Sequence, residues 1–320
     1  MKLNGLHHVT AVTAKAQENF NFYTQVLGMR LVKKTVNQDD VSAYHLFYAD
    51  KLGTPGTDLT FFDWPMTPNR NGPGSIARIA LRVPSHEALG WWTDYLTRQG
   101  ISHSGIVDFH RHDMINFTDP EGQQLSLVND EGAPGGGTPW ENSPTPAEYA
   151  IRGLYAATLI ARQLDLTERV LTQVMDYQRT AEYKTSSDER IVVYELAGGG
   201  AGKEIWVIEQ PDQPFGQLGA GGVHHMAFRV PNNEVQLEWR ERLASAGLKV
   251  TDVIDRFYFR SIYFRIPGGF LFEIATDGPG FTADEDLATL GAHLALPPFL
   301  EPHRAEIEAG LKPIETAVLV

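Results

Sequence analysis

The stretch GLHHVTAVT, residues 5–13, decides the fold, because three later stretches answer it: SIARIALRV (75–83), RGLYAATLI (152–160) and GGVHHMAFRV (221–230). Each is a short run with the period-two patterning of a half-buried strand. A helical pattern follows each one: NFNFYTQVLG from Asn19, HEALGWWTDYLTRQG from His86, DLTERVLTQVM from Asp165 and NEVQLEWRERLASAG from Asn233. Further alternating runs come after the helices, among them AYHLFY, RIVVYEL, EIWVIEQ and SIYFRI. The repeated unit is strand–helix–strand–strand–strand. Three closely spaced strands after each helix favour small mixed, mainly antiparallel sheets over a parallel βαβ array. The expectation is an α+β protein of four βαβββ modules in two tandem domains.

The punctuation fits that count. From Asn129 to Glu148 the chain reads NDEGAPGGGTPWENSPTPAE, dense in Gly, Pro and small polar residues, as an interdomain linker does. The expected divisions are a first module pair at 1–130, a linker at 131–148, a second pair at 149–280 and a tail at 281–320. Within the helices, Trp91, Trp92, Tyr95 and Leu96 sit at helical spacing and are read as packing residues, with Trp239 alike. The tail, with Pro breaks around one helical pattern, is expected to fold over the body or a neighbouring subunit. Its His293 and His303 are read as surface or packing residues.

Composition excludes several functions. The 320 residues contain no Cys, which removes disulfides, zinc fingers, thiolate nucleophiles and cysteine-ligated clusters. Any transition metal must be held by the 11 His, by carboxylates or by neutral oxygens. A net charge of −13 argues against nucleic acid as a partner. No apolar run approaches the roughly 18–20 residues that span a bilayer. The start, MKLNGLHHVTAVT, lacks the apolar core of a secretory signal, so a cytoplasmic protein is expected. The glycine runs GAPGGG and LAGGGAGK miss the GxxxxGK[ST] spacing of a phosphate loop.

Aligning the modules makes two histidines stand out. At the second position of the HH pair, the four modules carry His8, Arg78, Ala156 and His225 in turn. The last strands align through a turn, DPEGQQLSLV against IPGGFLFEIA, so Glu273 falls where the second module has Ser126. Glu273 sits between Phe272 and Ile274 on an apolar strand, where a carboxylate is costly unless a charge or metal compensates it. His8, His225 and Glu273 make a 2-His-1-carboxylate set, the arrangement of non-haem Fe(II) oxygen chemistry. The same three ligands also serve catalytic zinc. HExxH is absent, which removes the metalloprotease version. His110 and His112 share a strand face, but the matching slots Arg78 and Ser126 offer no third ligand. They are read as solvent or packing residues.

The module, with ligand slots on its first and last strands, resembles the vicinal oxygen chelate superfamily of glyoxalase I, fosfomycin and bleomycin resistance proteins and extradiol dioxygenases. Within it the chain is similar to the hydroquinone 1,2-dioxygenase group. HHVTAVT, GGVHHMAFRV, DRFYFRSIYFRIPGGFLFEIATDGPGF and LPPFLEPHRAEIEAGL carry that likeness over nearly the whole length. The resemblance implies open, barrel-like mixed sheets and a metal shared between modules one and four. It implies Fe(II), with Mn(II) as the other choice, and an aromatic diol and O2 as substrates; the repeated fold with its extended tail leads to the expectation of a homo-oligomer.

It further implies roles beside the substrate for Arg256, Tyr263, His7, His224 and Thr10. Thr10 lies two residues after His8 and shares its strand face. Strict alternation puts His7 and His224 on the opposite face. Either a twist or bulge swings them round, or they support the ligand strands. Phe257, Phe259 and Phe61 are expected as apolar pocket walls. The function expected is ring cleavage of a substituted hydroquinone beside a ring hydroxyl. A catechol extradiol dioxygenase, a glyoxalase-type metal isomerase and a non-enzymatic binder of aromatic compounds are the other readings. The isomerase would need a fourth ligand from DLTFFDWP, which Asp63 would supply only if the strand register shifts.

Overall fold

The computed structural model describes residues 1–109, 111–184, 189–196 and 198–316. Four βαβββ modules follow one another. The first comprises β1 (Leu6–Thr13), α1 (Ala16–Asn21) continued by a π-helical turn at Phe22–Val26, β2 (Arg30–Val36), β3 (Tyr44–Ala49) and β4 (Asp58–Asp63). The second comprises β5 (Ile76–Val83), α2 (His86–Arg98), β6 (His103–Phe109), β7 (His112–Thr118) and β8 (Gln124–Asn129). The third comprises β9 (Leu154–Ala161), α3 (Leu164–Arg169) with a π-helical turn at Val170–Val174, β10 (Gln178–Lys184), β11 (Arg190–Glu195) and β12 (Glu204–Glu209). The fourth comprises β13 (Gly222–Val230), α4 (Asn233–Ser245), β14 (Ile254–Asp255), β15 (Arg260–Arg265) and β16 (Leu271–Thr276). A last helix, α5 (Arg304–Gly310), lies in the tail.

The longer helices start where their side chains say they should. Ser85 Oγ accepts from the Ala88 N–H at 3.1 Å, and Asn232 Oδ1 accepts from Val235 N–H at 3.0 Å, each an N-cap that satisfies an otherwise open donor. Trp92 and Trp239 are fully buried against the sheet, and Trp91 stacks on Tyr95 at 4.6 Å between ring centroids.

Within every module the first strand pairs in parallel with the last: β1 with β4, β5 with β8, β9 with β12, β13 with β16. Between modules, β1 pairs antiparallel with β13 and β5 with β9. Module one is thereby joined to module four, and module two to module three. The strand orders are β14-β15-β16-β13-β1-β4-β3-β2 and β6-β7-β8-β5-β9-β12-β11-β10, linked through a single pairing of Val223 with Ile76. These are open, mixed, curved sheets, as an α+β fold of this kind requires.

The two central antiparallel pairings carry the same irregularity. In β1–β13, Leu6 faces Phe228 and His8 faces Ala227, so His7 is the extra residue; then Thr10 faces His225 and Ala11 faces Val223, so His224 is the extra residue. In β5–β9 the extra residues are Ala77 and Tyr155. These are β-bulges, each of which bends its strand and re-aims the residue beside it.

The tail folds back over its own chain. Lys33 on β2 is fully buried and its Nζ meets Asp284 Oδ1 at 2.7 Å and Glu285 Oε2, while Tyr258 donates to Asp284 Oδ2 at 2.9 Å. Ala295 N–H donates to Lys34 O at 2.9 Å. Among the described residues no helix is long and apolar enough to cross a membrane.

Candidate metal centre

The pairing of β1 with β13, and of β13 with β16, brings His8, His225 and Glu273 to one place. Nε2 of His225 lies 2.9 Å from Glu273 Oε2, and Nε2 of His8 lies 3.3 Å from it. The two Nε2 atoms are 3.4 Å apart. All three side chains are buried, Glu273 completely. Among the described residues this is the one group of three or more His, Asp or Glu whose ligand atoms lie close enough to hold an ion.

The donor chemistry fits a cation. Ser261 Oγ donates to Glu273 Oε1 at 2.6 Å, but Oε2 is sealed from solvent and accepts no hydrogen bond, despite the nearby imidazoles. A sealed carboxylate oxygen without a donor costs about 1–3 kcal/mol or more unless a cation takes the hydrogen's place. Burial works against the Glu273 charge, yet His8 and His225 hold its pKa well below the usual carboxylate range. Burial lowers the His225 pKa, against the pull of Glu273. The trio is therefore a carboxylate with an imidazole that resists protonation, ready to donate lone pairs.

The bulges explain the neighbouring histidines, which strict alternation would have pointed away. His7 Nδ1 lies 3.0 Å from His8 Nδ1, and His224 Nδ1 lies 2.8 Å from His225 Nδ1. On the β1 side the tautomers are determined. His7 Nε2 is 3.1 Å from the Thr276 carbonyl, which can only accept, so His7 carries its proton on Nε2. Its Nδ1 is then an acceptor and His8 donates to it from Nδ1, so that the His8 tautomer with a single proton turns its Nε2 lone pair towards Glu273. Burial, with His8 next, lowers the His7 pKa to about 3; burial, with His225 next, does the same for His224. Both remain neutral near pH 7. His224 otherwise packs edge-on against Phe62 and Trp64, each at 5.6 Å between ring centroids.

Beside the trio opens a cavity with about 450 Å³ of empty space, open solvent at its mouth included. His8 and His225 contribute to its floor, and Arg256, Tyr263, Phe259 and Phe62 to its walls. Arg256 is clamped by both oxygens of Asp39, at 3.1 and 2.8 Å, and its guanidinium stands 5.5 Å from the centre of the Tyr263 ring. Burial works against the Arg256 cation, but Asp39 and Tyr263 outweigh it and raise its pKa. Burial, then Glu273, pushes the Tyr263 phenol well above its ordinary value, so it stays protonated near pH 7.

Thr10 is fully buried and its Oγ1 pairs with Thr60 Oγ1 at 2.8 Å; neither Thr10, His7 nor His224 lines the cavity. Phe61 turns the other way, against Tyr23 at 4.6 Å, and its neighbour Phe62 is the wall residue instead. Phe257 packs behind the wall with a left-handed backbone (φ 70°). Asp63 stands outside the cluster: Thr60 faces Thr10 across β1–β4 as Glu273 faces Ala227 across β13–β16, so Thr60 occupies the fourth-ligand slot. His112 lies in the other sheet, 3.1 Å from the Tyr155 hydroxyl, and His110 falls outside the described residues. His45, Asp39 and Ser261 escaped the sequence reading because no repeated position flags them. Alternation along AYHLFY does place His45 and Phe47 on one face.

Comparisons with known proteins give the family and the fold. The Glyoxalase/Bleomycin resistance protein/Dioxygenase superfamily matches residues 5–127 and 153–274. The chain is 45% identical to "Putative ring-cleaving dioxygenase MhqA" of Bacillus subtilis, over 98% of this chain and 100% of that one. It is 32% identical to chlorohydroquinone/hydroquinone 1,2-dioxygenase of Sphingobium indicum, over 96% and 95%. A crystal structure of a Bacillus subtilis protein described as a "putative dioxygenase" superimposes with a TM-score of 0.91 at 39% identity, covering 99% of each chain. Maize glyoxalase I, at 12% identity and a TM-score of 0.61 over 90% and 97%, shares the fold. Matched on either side of residues 128–152 and along the full length of such relatives, the chain belongs to the Glyoxalase/Bleomycin resistance protein/Dioxygenase superfamily.

Proposed function

We propose that the chain is a ring-cleaving dioxygenase that uses Fe(II), held by His8 Nε2, His225 Nε2 and Glu273 Oε2, to act on a hydroquinone-type ring. The observation that carries this reading is the sealed, undonated Glu273 Oε2 between two imidazoles. The names of the relatives, a ring-cleaving dioxygenase and a hydroquinone 1,2-dioxygenase, supply the reaction and the ring. Three protein ligands leave positions open for two substrates, and Thr60 in the fourth slot speaks against a four-ligand isomerase site.

When bound, Fe(II) supplies the one-electron chemistry that lets O2 react with an organic ring. The chain's own residues do the rest. Phe62, Phe47 and Phe259 exclude water and stack the ring edge. Arg256, permanently charged, stabilises negative charge as it develops on a ring oxygen. Tyr263, held protonated, donates to that oxygen and orients it. His7 holds the His8 proton on Nδ1 and so keeps the ligand nitrogen free.

The test is O2 uptake by metal-stripped protein with substituted hydroquinones and catechols, with and without added Fe(II). Uptake with a hydroquinone only when Fe(II) is added is the expected result. No uptake with any such diol refutes the proposal.

A further inference from the structure

The cavity has a second polar feature, on the strand two places along the sheet from the one that bears His8. His45 on β3 lines it between Phe47 and Phe62, whose ring centroids lie 3.9 and 4.5 Å from its own. Its Nε2 is 3.0 Å from Thr60 Oγ1 on β4, and Thr60 passes its own hydroxyl proton to Thr10 Oγ1 on β1 at 2.8 Å. A hydroxyl that donates to Thr10 accepts from His45, so the imidazole proton sits on Nε2. Burial first, then His8, His225 and Arg256, hold the His45 pKa well below its ordinary value, which keeps the ring neutral with a single N–H. Nδ1 is therefore a lone pair, and it has no hydrogen-bond partner in the described structure.

Of the other polar side chains around it, Thr35 opposite it on β2 has a hydroxyl without a partner, while three more are engaged elsewhere. Both Asp39 oxygens accept from Arg256, Gln38 Nε2 donates to the Arg256 carbonyl at 2.9 Å, and Asn37 Oδ1 accepts from Asp39 N–H at 2.8 Å. A bare acceptor flanked by two phenylalanines recognises one thing well, a hydroxyl at the edge of an aromatic ring. In a 1,4-diol whose first oxygen is held at the His8–His225–Glu273 floor, the second hydroxyl is at the far end of the ring and out of reach of that floor.

We infer that His45 is a specificity-determining residue, its Nδ1 accepting a hydrogen bond from the ring hydroxyl remote from the metal-held oxygen, so that the cavity selects 1,4-diols over simple phenols. This rests on the metal-site reading above.

The experiment avoids turnover. Protein loaded with Zn(II), which is redox-inert, is titrated anaerobically with hydroquinone and with phenol by calorimetry. Wild type is expected to prefer hydroquinone by about fivefold, the yield of one neutral hydrogen bond of ~1 kcal/mol. His45→Leu is expected to bring that ratio to about one while leaving phenol affinity and zinc content unchanged. His45→Gln, whose amide oxygen restores an acceptor, recovers part of the preference and serves where the leucine variant fails to fold. Wild-type protein that binds both rings equally, or a His45→Leu protein that keeps the full preference, overturns the role of His45 alone. Zinc-loaded wild type that binds neither ring overturns the metal-site reading and this inference with it.

Discussion

Replacing His7 by leucine tests the tautomer chain without touching a ligand. In the folded protein Thr276 O fixes the His7 proton on Nε2, and His7 Nδ1 then fixes the His8 proton on Nδ1. His7→Leu keeps most of the buried volume but removes that acceptor. His8 is then free to carry its proton on either nitrogen, and the fraction with Nε2 bare falls by roughly twofold or more. The ring also loses the hydrogen bond that orients it, worth ~1 kcal/mol, or about fivefold. Together these predict a loss of about tenfold in metal affinity, at the lower end of the roughly 10–100-fold seen when such supporting partners are removed. Competition against a chelator of known affinity, with Zn(II) or anaerobic Fe(II), reads it directly. His224→Leu is the control: its Nδ1 contact is as short, at 2.8 Å, but no backbone carbonyl fixes its tautomer among the described contacts, so a smaller loss is expected. A His7→Leu protein that binds metal within twofold of wild type refutes the tautomer chain.

Two further expectations concern stability. Burial raises the Asp119 carboxyl to about 6 from an ordinary value of 3.8, so the folded chain holds this proton more tightly than the unfolded one. Its contribution to stability is present in full below pH 4 and is lost as the pH rises through about 6. Asp119→Asn, which mimics the protonated acid, should therefore gain stability relative to wild type between pH 4 and 7, by up to roughly 3 kcal/mol; a urea-unfolding difference that is flat across that range contradicts this. Lys33→Met strips the buried cation from Asp284 and Glu285 and should destabilise the protein by about 3 kcal/mol. An unfolding free energy within 0.5 kcal/mol of wild type, a margin expected only of surface changes, would show that the tail is not held by this cluster.

The four-module plan was legible because it repeats: four strands that open alike, four helices, and three strands after each. Repetition also exposed His8 and His225, whose counterparts Arg78 and Ala156 differ in kind. What stayed hidden has a physical cause in each case. The alternation rule counts faces along an unbroken ladder, and the β1–β13 ladder is broken at His7 and again at His224. Phe61 is expected as a wall without any pairing to place it; only the pairing of His45 with Phe62 shows which of the two faces the cavity. His45 and Asp39 belong to segments with no informative counterpart in the other modules. Nothing but the folded sheet brings them to Thr60 and Arg256.

The half of the molecule without a candidate metal site makes the bulges easier to interpret. β5–β9 has the same two irregularities as β1–β13, but the extra residues there are Ala77 and Tyr155, and neither is an imidazole. The bulges therefore follow from how these paired strands meet, and the histidines exploit them rather than cause them. In that half the slot equivalent to His225 holds Arg78, whose guanidinium donates to Asn116 Oδ1 at 2.7 Å and to Ser126 Oγ at 3.3 Å, the latter in the slot of Glu273. The corresponding slot of module three holds Trp206, packed on Phe109 at 4.7 Å. One half thus carries its cation covalently and fills the space around it with indole and phenyl rings. The other presents two imidazoles, one carboxylate and an open cavity, and under the proposed function it takes its cation from solution.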